Sequence, residues 1–229
     1  MGSVAVLRDG ELLAKISGYE ETPYSARLFR DIAQLQERAN FRMDQVDVFA
    51  AAAGPGSFTG LRVGLTAVKA WAEVHRKPIA AISGLEAIAV EWFGGGGSRP
   101  SNAQFIAPFL DARRGQVYGA IYRKIFGDAM GFELASPESV LSIDEFFELV
   151  KEKSIEEIDL VSPTPDMLPR TRIKEVLPVA RVVQVSPALA PAIGRLGFER
   201  AKQGLLVDSI SLDANYVRRS DAESAWKDG

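Results

Sequence analysis

Residues 51–64, AAAGPGSFTGLRVG, are the stretch that most constrains how this chain folds. An apolar run meets three glycines and a proline, and a long apolar helix pattern follows, which is typical of a tight strand-to-helix corner. The start of a helix is also a place where anions bind, because free backbone N–H groups point outward there. Three interpretations follow: a phosphate-binding loop, a turn that carries a nucleophile, and a structural corner.

A phosphate-binding loop of the Walker type needs Gly-Lys-Ser/Thr where the helix begins. The matching position here is Gly60-Leu61-Arg62, and no lysine occurs before Lys69, far down the helix. The Walker interpretation is therefore excluded. A weaker contact with an anion or nucleotide stays open for the residues at the helix start, which are Gly56, Ser57, Thr59 and Arg62.

A nucleophile at Ser57 or Thr59 would need a base beside it, and the G-x-S-x-G spacing of a nucleophile elbow is absent. The single histidine, His75, lies on the same predicted helix. At the rise of an α-helix it is roughly 24–27 Å from both hydroxyls. We therefore predict no catalytic residue in this loop. In the structural interpretation, Ser57 or Thr59 caps the helix.

The helix predicted over residues 57–75 is apolar around most of its circumference. A surface helix usually carries one apolar stripe, so this helix is either central in the core or packs on its own sheet and on another chain. We favour a protein–protein contact for this helix. The polar stripe consists of Arg62, Thr66, Lys69, Glu73 and Arg76. The predicted contact residues on this helix are Leu61, Gly64, Leu65 and Val68.

The composition limits the kinds of catalytic and binding site that the chain can form. It has no cysteine and one histidine among 229 residues, which excludes thiolate catalysis, disulfides and any site that needs two imidazoles. We predict no metal site. The formal net charge of −3 gives no global attraction to nucleic acid, so independent binding to a polyanion is disfavoured. No apolar run of about 18 residues is present, so we expect no membrane contact and a cytoplasmic location.

Apolar periodicity along the chain predicts an α/β protein with a mixed sheet in each half. Asp9-Gly10 predicts a hairpin between strands 3–8 and 11–17. Ser142 and Glu145 form a capping box for a helix through about Lys153. The glycine run 94–97 predicts a boundary between lobes 1–97 and 98–229. Further predicted elements are strands 46–53, 78–82, 105–110, 116–124, 158–161 and 179–185, helices 85–92 and 188–203, a hairpin at 111–115 and a rigid loop at 163–169.

Four segments of the chain carry a family resemblance: GPGSFTGLRVGLTAVKAWA (54–72), ISGLEAIA (82–89), LDARRGQVY (110–118) and NYVRRSDAE (215–223). Together they resemble the bacterial TsaB family, also called YeaZ, over nearly the whole chain. The resemblance implies the actin/Hsp70/sugar-kinase-like (ASKHA) fold, with two related α/β lobes of mixed sheets flanked by helices. It also implies a non-catalytic subunit of the complex that attaches threonylcarbamoyl to the adenosine beside the anticodon of ANN-decoding tRNAs.

The resemblance also implies partners. The chain is expected to bind and activate a TsaD-type catalytic subunit through helices of its N-terminal lobe, and to work together with a TsaE-type ATPase. This adds Leu28, Ile32 and Leu35 of the helix predicted over residues 23–39 to the predicted contact residues. The chain is expected to meet tRNA only through the complex. On this basis, Leu61→Glu or Leu65→Glu should abolish association while the fold survives. Self-association of the isolated chain as a dimer stays open. No cofactor is predicted for the chain itself, and ATP or ADP at the complex interface stays open.

Two other functions are weighed against this one. The first is an autonomous ATPase or phosphotransferase, by analogy with the sugar kinases of the fold. The second is a protease that acts on the partner, for which the sequence offers no plausible triad. Asp111 is expected to form a turn rather than a site. Two arginine pairs are expected to be solvated rather than phosphate-bound, namely Arg113 and Arg114 in the hairpin and Arg218 and Arg219 in the tail.

The chain departs from the family pattern at its start. The family begins with a strand of the ILAIDTS kind and a phosphate loop, whereas here Met1-Gly2 leads directly into the match to the second strand. That strand is central in the N-terminal sheet of this fold, and its loss leaves unpaired backbone groups at about 1–3 kcal/mol each. We expect a mis-assigned or shortened start, so restoring upstream codons should raise the melting temperature. The absent phosphate loop also counts against an autonomous ATPase.

Overall fold

The computed structural model describes residues 2–18, 23–93, 103–125, 131–153 and 157–213. The predicted linker at 94–97 and the predicted solvated pair Arg218-Arg219 lie outside these ranges. Strands in the described part form three sheets, two with two strands and one with five. Helices pack against these sheets, so the chain is an α/β protein, as the sequence predicts.

The first sheet is the predicted hairpin. It consists of β1 (Gly2–Arg8) and β2 (Glu11–Gly18), which pair antiparallel. Asp9 and Gly10 form the turn with φ angles of 52° and 84°, the left-handed region that Asp-Gly turns favour. Helix α1 (Tyr24–Ala39) packs on this hairpin, and Leu28 joins Val4 in the same core cluster.

The second sheet comes from a strand-helix-strand unit. Strands β3 (Phe49–Gly54) and β4 (Ile79–Ser83) pair in parallel, and α2 (Phe58–His75) connects them. One face of α2 packs on β3 through Leu65 and Val68, while another places Ala67 beside α1 and β1. Two apolar faces of α2 are therefore used within the chain. This arrangement explains why the helix pattern is apolar on more than one side.

The third sheet has the strand order β7-β6-β5-β8-β9. Strands β5, β6 and β7 form an antiparallel meander, and β8 and β9 run parallel to β5. The bounds are β5 (Phe105–Arg113), β6 (Gln116–Lys124), β7 (Phe132–Ser142), β8 (Ile158–Ser162) and β9 (Arg181–Gln184). Helices α3 (Gly84–Glu91), α4 (Ile143–Lys153) and α5 (Arg170–Val176) complete this region.

The capping box predicted at the start of α4 is confirmed. The Glu145 N–H donates to Ser142 Oγ over 3.2 Å, and the Ser142 N–H donates to Glu145 Oε2 over 2.7 Å, which is the predicted capping box.

The sequence predicted neither β7 nor α5, and it predicted β9 too long. Strand β7 contains Pro137, and it tolerates this residue because it lies at the edge of the sheet.

Helix α6 (Ala190–Lys202) follows the third sheet in the sequence but packs back on the first two sheets. Ala192 and Leu196 lie in one core cluster with Ala80 and Ile82 of β4. Beyond α6, Val207 forms a bridge with Ile79. The division at residue 97 stays a prediction, and α6 packs across it, because the apolar face of this helix is buried against the N-terminal elements rather than against β5–β9.

Candidate functional site

The glycine-rich corner is held by local contacts. The Gly60 N–H donates to Ser57 Oγ over 3.4 Å, so Ser57 is the N-cap of α2. The corner also lies against the start of α3, because a Cβ on Gly84 would be 2.5 Å from the Pro55 carbonyl oxygen. Only glycine allows this approach. These contacts support the structural interpretation of the loop.

The predicted anion-contact residues lie close together at the start of α2. Ser57 is occupied by its capping bond, and the Arg62 guanidinium carbon lies 3.8 Å from the centre of the Phe58 ring. Thr59 is exposed and Gly56 is half-buried. His75 ends the same helix, where its ring lies 6.4 Å from that of Phe49. The hydroxyls and the histidine are therefore at opposite ends of α2, and anion contact stays a prediction.

Most of the predicted contact residues lie inside the fold. Ile32 and Gly64 are half-buried, and the other five belong to the core of the N-terminal elements, namely Leu28, Leu35, Leu61, Leu65 and Val68. Their burial leaves little surface for a partner, so these contacts stay a prediction. Burial also argues against the expectation that Leu61→Glu and Leu65→Glu preserve the fold, because each would place a charge in the core. Periodicity identified the apolar faces of α2 but not which of them the chain itself covers.

Exposed apolar side chains lie elsewhere on the same two helices. Phe29 of α1 is 66% exposed and Val74 of α2 is 75% exposed. The Phe29 and Trp71 rings meet edge to face with centroids 6.1 Å apart. We name this surface the outer face, and it consists of Phe29, Ala70, Trp71 and Val74. Its apolar residues on adjacent helices are a sign of an interaction surface.

A polar cluster between the lobes was not predicted from the sequence. Ser83 Oγ accepts hydrogen bonds from the Leu85 and Glu86 N–H groups and donates to Glu138 Oε1. The Tyr122 hydroxyl donates to the same oxygen over 3.1 Å. Burial raises the pKa of Glu138, against the lowering effect of these two hydrogen bonds. The cluster thus joins the cap of α3 to β6 and β7 of the third sheet.

Glu138→Gln is expected to remove part of the pH dependence of stability. Because the pKa of Glu138 is raised above 4.5 in the folded chain, the folded state keeps a proton that the unfolded state has lost. The contribution of Glu138 to the free energy of unfolding therefore falls as pH rises from 4.5 toward neutral. A glutamine keeps the acceptor and does not titrate. Across this pH range, the melting temperature of the variant relative to that of the wild type should rise with pH.

Glu145→Gln is the control for that prediction. The hydrogen bond from the Ser142 N–H lowers the pKa of Glu145, so its contribution to stability is present above pH 4.5 and is lost as pH falls. The melting temperature of this variant should lie furthest below that of the wild type at neutral pH, which is the opposite trend. Parallel trends for both variants would contradict the assignment of Glu138.

Asp111 has a turn role, as predicted. Its Oδ1 accepts a hydrogen bond from the Arg113 N–H over 2.7 Å, and its Oδ2 lies 3.2 Å from Arg113 Nη1.

Within the described ranges, no group of three or more His, Cys, Asp or Glu side chains is placed to hold a metal ion. The part of the chain that the structure describes contains no helix long and apolar enough to cross a membrane.

Comparisons with known proteins agree with this fold. The family model described as "TsaD: tRNA N6-adenosine threonylcarbamoyltransferase" matches residues 21–188, well over half of the chain. The tRNA threonylcarbamoyladenosine biosynthesis protein TsaB of Bacillus subtilis is 28% identical over 97% of this chain and 92% of that protein. The YeaZ structure from Pseudomonas aeruginosa has a TM-score of 0.70 at 23% identity and covers 93% of both chains. A second Pseudomonas aeruginosa structure, described as similar to the peptidase YeaZ, reaches 0.72 at 23% identity over 94% of both chains. These likenesses confirm the predicted fold class.

Proposed function

The chain belongs to the TsaD family of tRNA N6-adenosine threonylcarbamoyltransferases, and from this membership we propose that it is the accessory, TsaB-type subunit of a tRNA-modifying complex. In this role it binds and activates a TsaD-type catalytic subunit, with a TsaE-type ATPase as the third component. The modification is threonylcarbamoyladenosine beside the anticodon of ANN-decoding tRNAs. Its relatives named TsaB are biosynthesis proteins of this modified nucleoside.

The observation that carries the proposal is the outer face. A solvated helix pair normally presents charged side chains, and large apolar side chains that stay exposed on it suit a binding site. Here Phe29 and Val74 are both more than half exposed, and Trp71 is packed against Phe29. A TsaD-type subunit is expected to share the fold of this chain, so it offers a similar helix pair. Two such pairs can meet about an approximate two-fold axis.

An accessory role also agrees with how the residues considered for catalysis are used. Ser57 caps α2, and Asp111 stabilises the turn after β5. Both side chains thus have structural partners that account for their presence. The chemistry of the complex is therefore assigned to the catalytic subunit, and this chain supplies the surface that holds and activates it.

The binding claim is tested with purified proteins. The chain is mixed with the TsaD-type subunit of the same organism and analysed by size-exclusion chromatography with light scattering. We expect a complex with the mass of one copy of each subunit. Each protein is also run alone, which shows whether the isolated chain self-associates. Separate elution of the two proteins at micromolar concentrations would contradict the proposal.

A further inference from the structure

A basic cavity of about 410 Å³ lies between helix α1 and strand β2. Its lining includes four basic residues and one acidic residue, whereas the whole chain has a formal net charge of −3. Among the described residues that line it, Ile16 alone is apolar. The cavity therefore suits an anion rather than an apolar ligand. We name it the basic groove, and its charged residues are Lys15, Arg27, Arg30, Asp31 and Arg38.

The carboxylate of Asp31 in the basic groove is neutralised inside the chain. Arg27 Nε lies 3.5 Å from Asp31 Oδ2, and both side chains are 4% exposed. Arg27 is also anchored at the start of β1, where its Nη2 donates to the Gly2 carbonyl oxygen over 2.7 Å. Arg30 Nε lies 3.9 Å from Asp31 Oδ1, and the Arg30 side chain is 52% exposed. Because Asp31 is buried beside Arg27, the exposed part of the groove keeps an excess of positive charge.

Two polar side chains of the basic groove are exposed and uncommitted. Gln34 and Arg38 lie on α1, and neither forms an ion pair or a side-chain hydrogen bond with another residue of the described ranges. The Arg38 guanidinium offers five N–H donors in a planar fork, which matches the paired oxygens of a phosphate. These donors are available to a ligand without the loss of a contact within the described chain.

The exposed polar residues of the groove form a row along α1. Arg30, Gln34 and Arg38 are four positions apart, so they lie along one side of the helix. From the first to the last of them, the helix axis rises about 12 Å. A row of this length is longer than one phosphate group, and its donors are spread along it. It therefore suits a chain of phosphates rather than a single inorganic anion.

We propose that the basic groove binds a short stretch of the phosphate backbone of the tRNA that the complex modifies. Arg30 and Arg38 bind phosphate oxygens, and Gln34 donates between them. The identity of the polyanion rests on the proposed function, which makes a tRNA the substrate of the complex. Because the net charge of the chain is negative, the groove adds to the tRNA affinity of the catalytic subunit rather than binding tRNA independently.

The test measures tRNA binding by the complex of the chain with the TsaD-type subunit. The probe is a fluorescein-labelled, unmodified ANN-decoding tRNA, and binding is followed by fluorescence anisotropy at several salt concentrations. We expect Arg38→Glu to bind about tenfold more weakly, with the slope of log Kd against log salt smaller by about one, because one phosphate contact is lost. A residue that only stabilised α1 would leave this slope unchanged.

Lys174→Glu is the matched control, because it changes the net charge equally at an exposed position of α5. It should bind the tRNA like the wild type. Arg38→Gln removes the positive charge without adding a negative one, and it should show the same decrease in slope. This variant decides the matter if Arg38→Glu melts well below the wild type.

Failure of this inference is distinguishable from failure of the proposed function. Arg38 is nine positions from Phe29, which is about half a turn around α1 from the outer face. Arg38→Glu should therefore elute with the catalytic subunit like the wild type. Wild-type tRNA affinity and slope in a complex that forms normally would overturn the basic groove and leave the accessory role intact. Separate elution of the wild-type chain and the catalytic subunit would overturn both.

An acidic protein segment is the other polyanion that the basic groove has to be tested against. A fluorescein-labelled peptide of six glutamates is titrated against the wild-type complex and the Arg38→Glu complex. We expect binding of this peptide to be at least about tenfold weaker than that of the tRNA. Peptide binding that Arg38→Glu weakens, together with unchanged tRNA binding, would assign the groove to an acidic protein and overturn the proposal.

Discussion

Leu65→Glu is expected to unfold the N-terminal elements of the chain. Leu65 is 6% exposed and packs with Phe49, Val68 and Ile79 between α2 and the second sheet. The substitution removes this packing and leaves a buried charge without a partner, and such changes cost about 3–5 kcal/mol. Total stabilities are about 5–15 kcal/mol. Urea denaturation followed by circular dichroism should show a much lower midpoint or no folded baseline.

Thr66→Glu is the matched control for this prediction. Thr66 is the next residue of α2 and is exposed on the predicted polar stripe. A charge there meets solvent, so the free energy of unfolding should change by no more than about 0.5 kcal/mol. A Leu65→Glu chain that unfolds at the wild-type urea concentration would show that this face of α2 is not part of the core.

The double substitution of Phe29 and Val74 by glutamate is expected to abolish binding to the TsaD-type subunit without unfolding the chain. Both side chains are largely exposed, so the folded state loses little packing. In a complex, each glutamate would be buried against an apolar surface, and two central contacts of this kind are worth several kcal/mol. Calorimetric titration with the catalytic subunit should show affinity about 100-fold weaker or lower.

Val179→Glu is the control for the double variant. Val179 is 60% exposed and lies in the turn between α5 and β9, away from α1 and α2 in the sequence. The control should bind the catalytic subunit with wild-type affinity, and both proteins should keep wild-type melting curves. Wild-type affinity in the double variant would place the contact on another surface and remove the role assigned to the outer face.

The features that the sequence predicted correctly depend on a few neighbouring residues. The Asp9-Gly10 turn, the Ser57 cap and the Ser142–Glu145 capping box are each determined within four positions of the chain. The corner at residues 54–60 likewise followed from its glycines and proline. Family segments predicted the α/β architecture because they span both lobes, and the comparisons confirm that fold.

The features that the sequence did not predict depend on contacts between distant residues. Glu138 meets Ser83 from 55 positions away, and α6 returns to the first two sheets after the third sheet is complete. Helix α2 shows the same limit. Its apolar faces were visible in the periodicity, but only the placement of α1, β1 and β3 shows that Leu61 and Leu65 are buried while Val74 is exposed.

The most direct test of the accessory role is the content of modified nucleosides in tRNA. The chain is depleted from its organism and replaced by the wild type, the Phe29 and Val74 double variant, or Val179→Glu, and tRNA nucleosides are measured by mass spectrometry. We predict that threonylcarbamoyladenosine falls sharply on depletion and returns with the wild type and with Val179→Glu but not with the double variant. An unchanged level of threonylcarbamoyladenosine after depletion would contradict the proposed function.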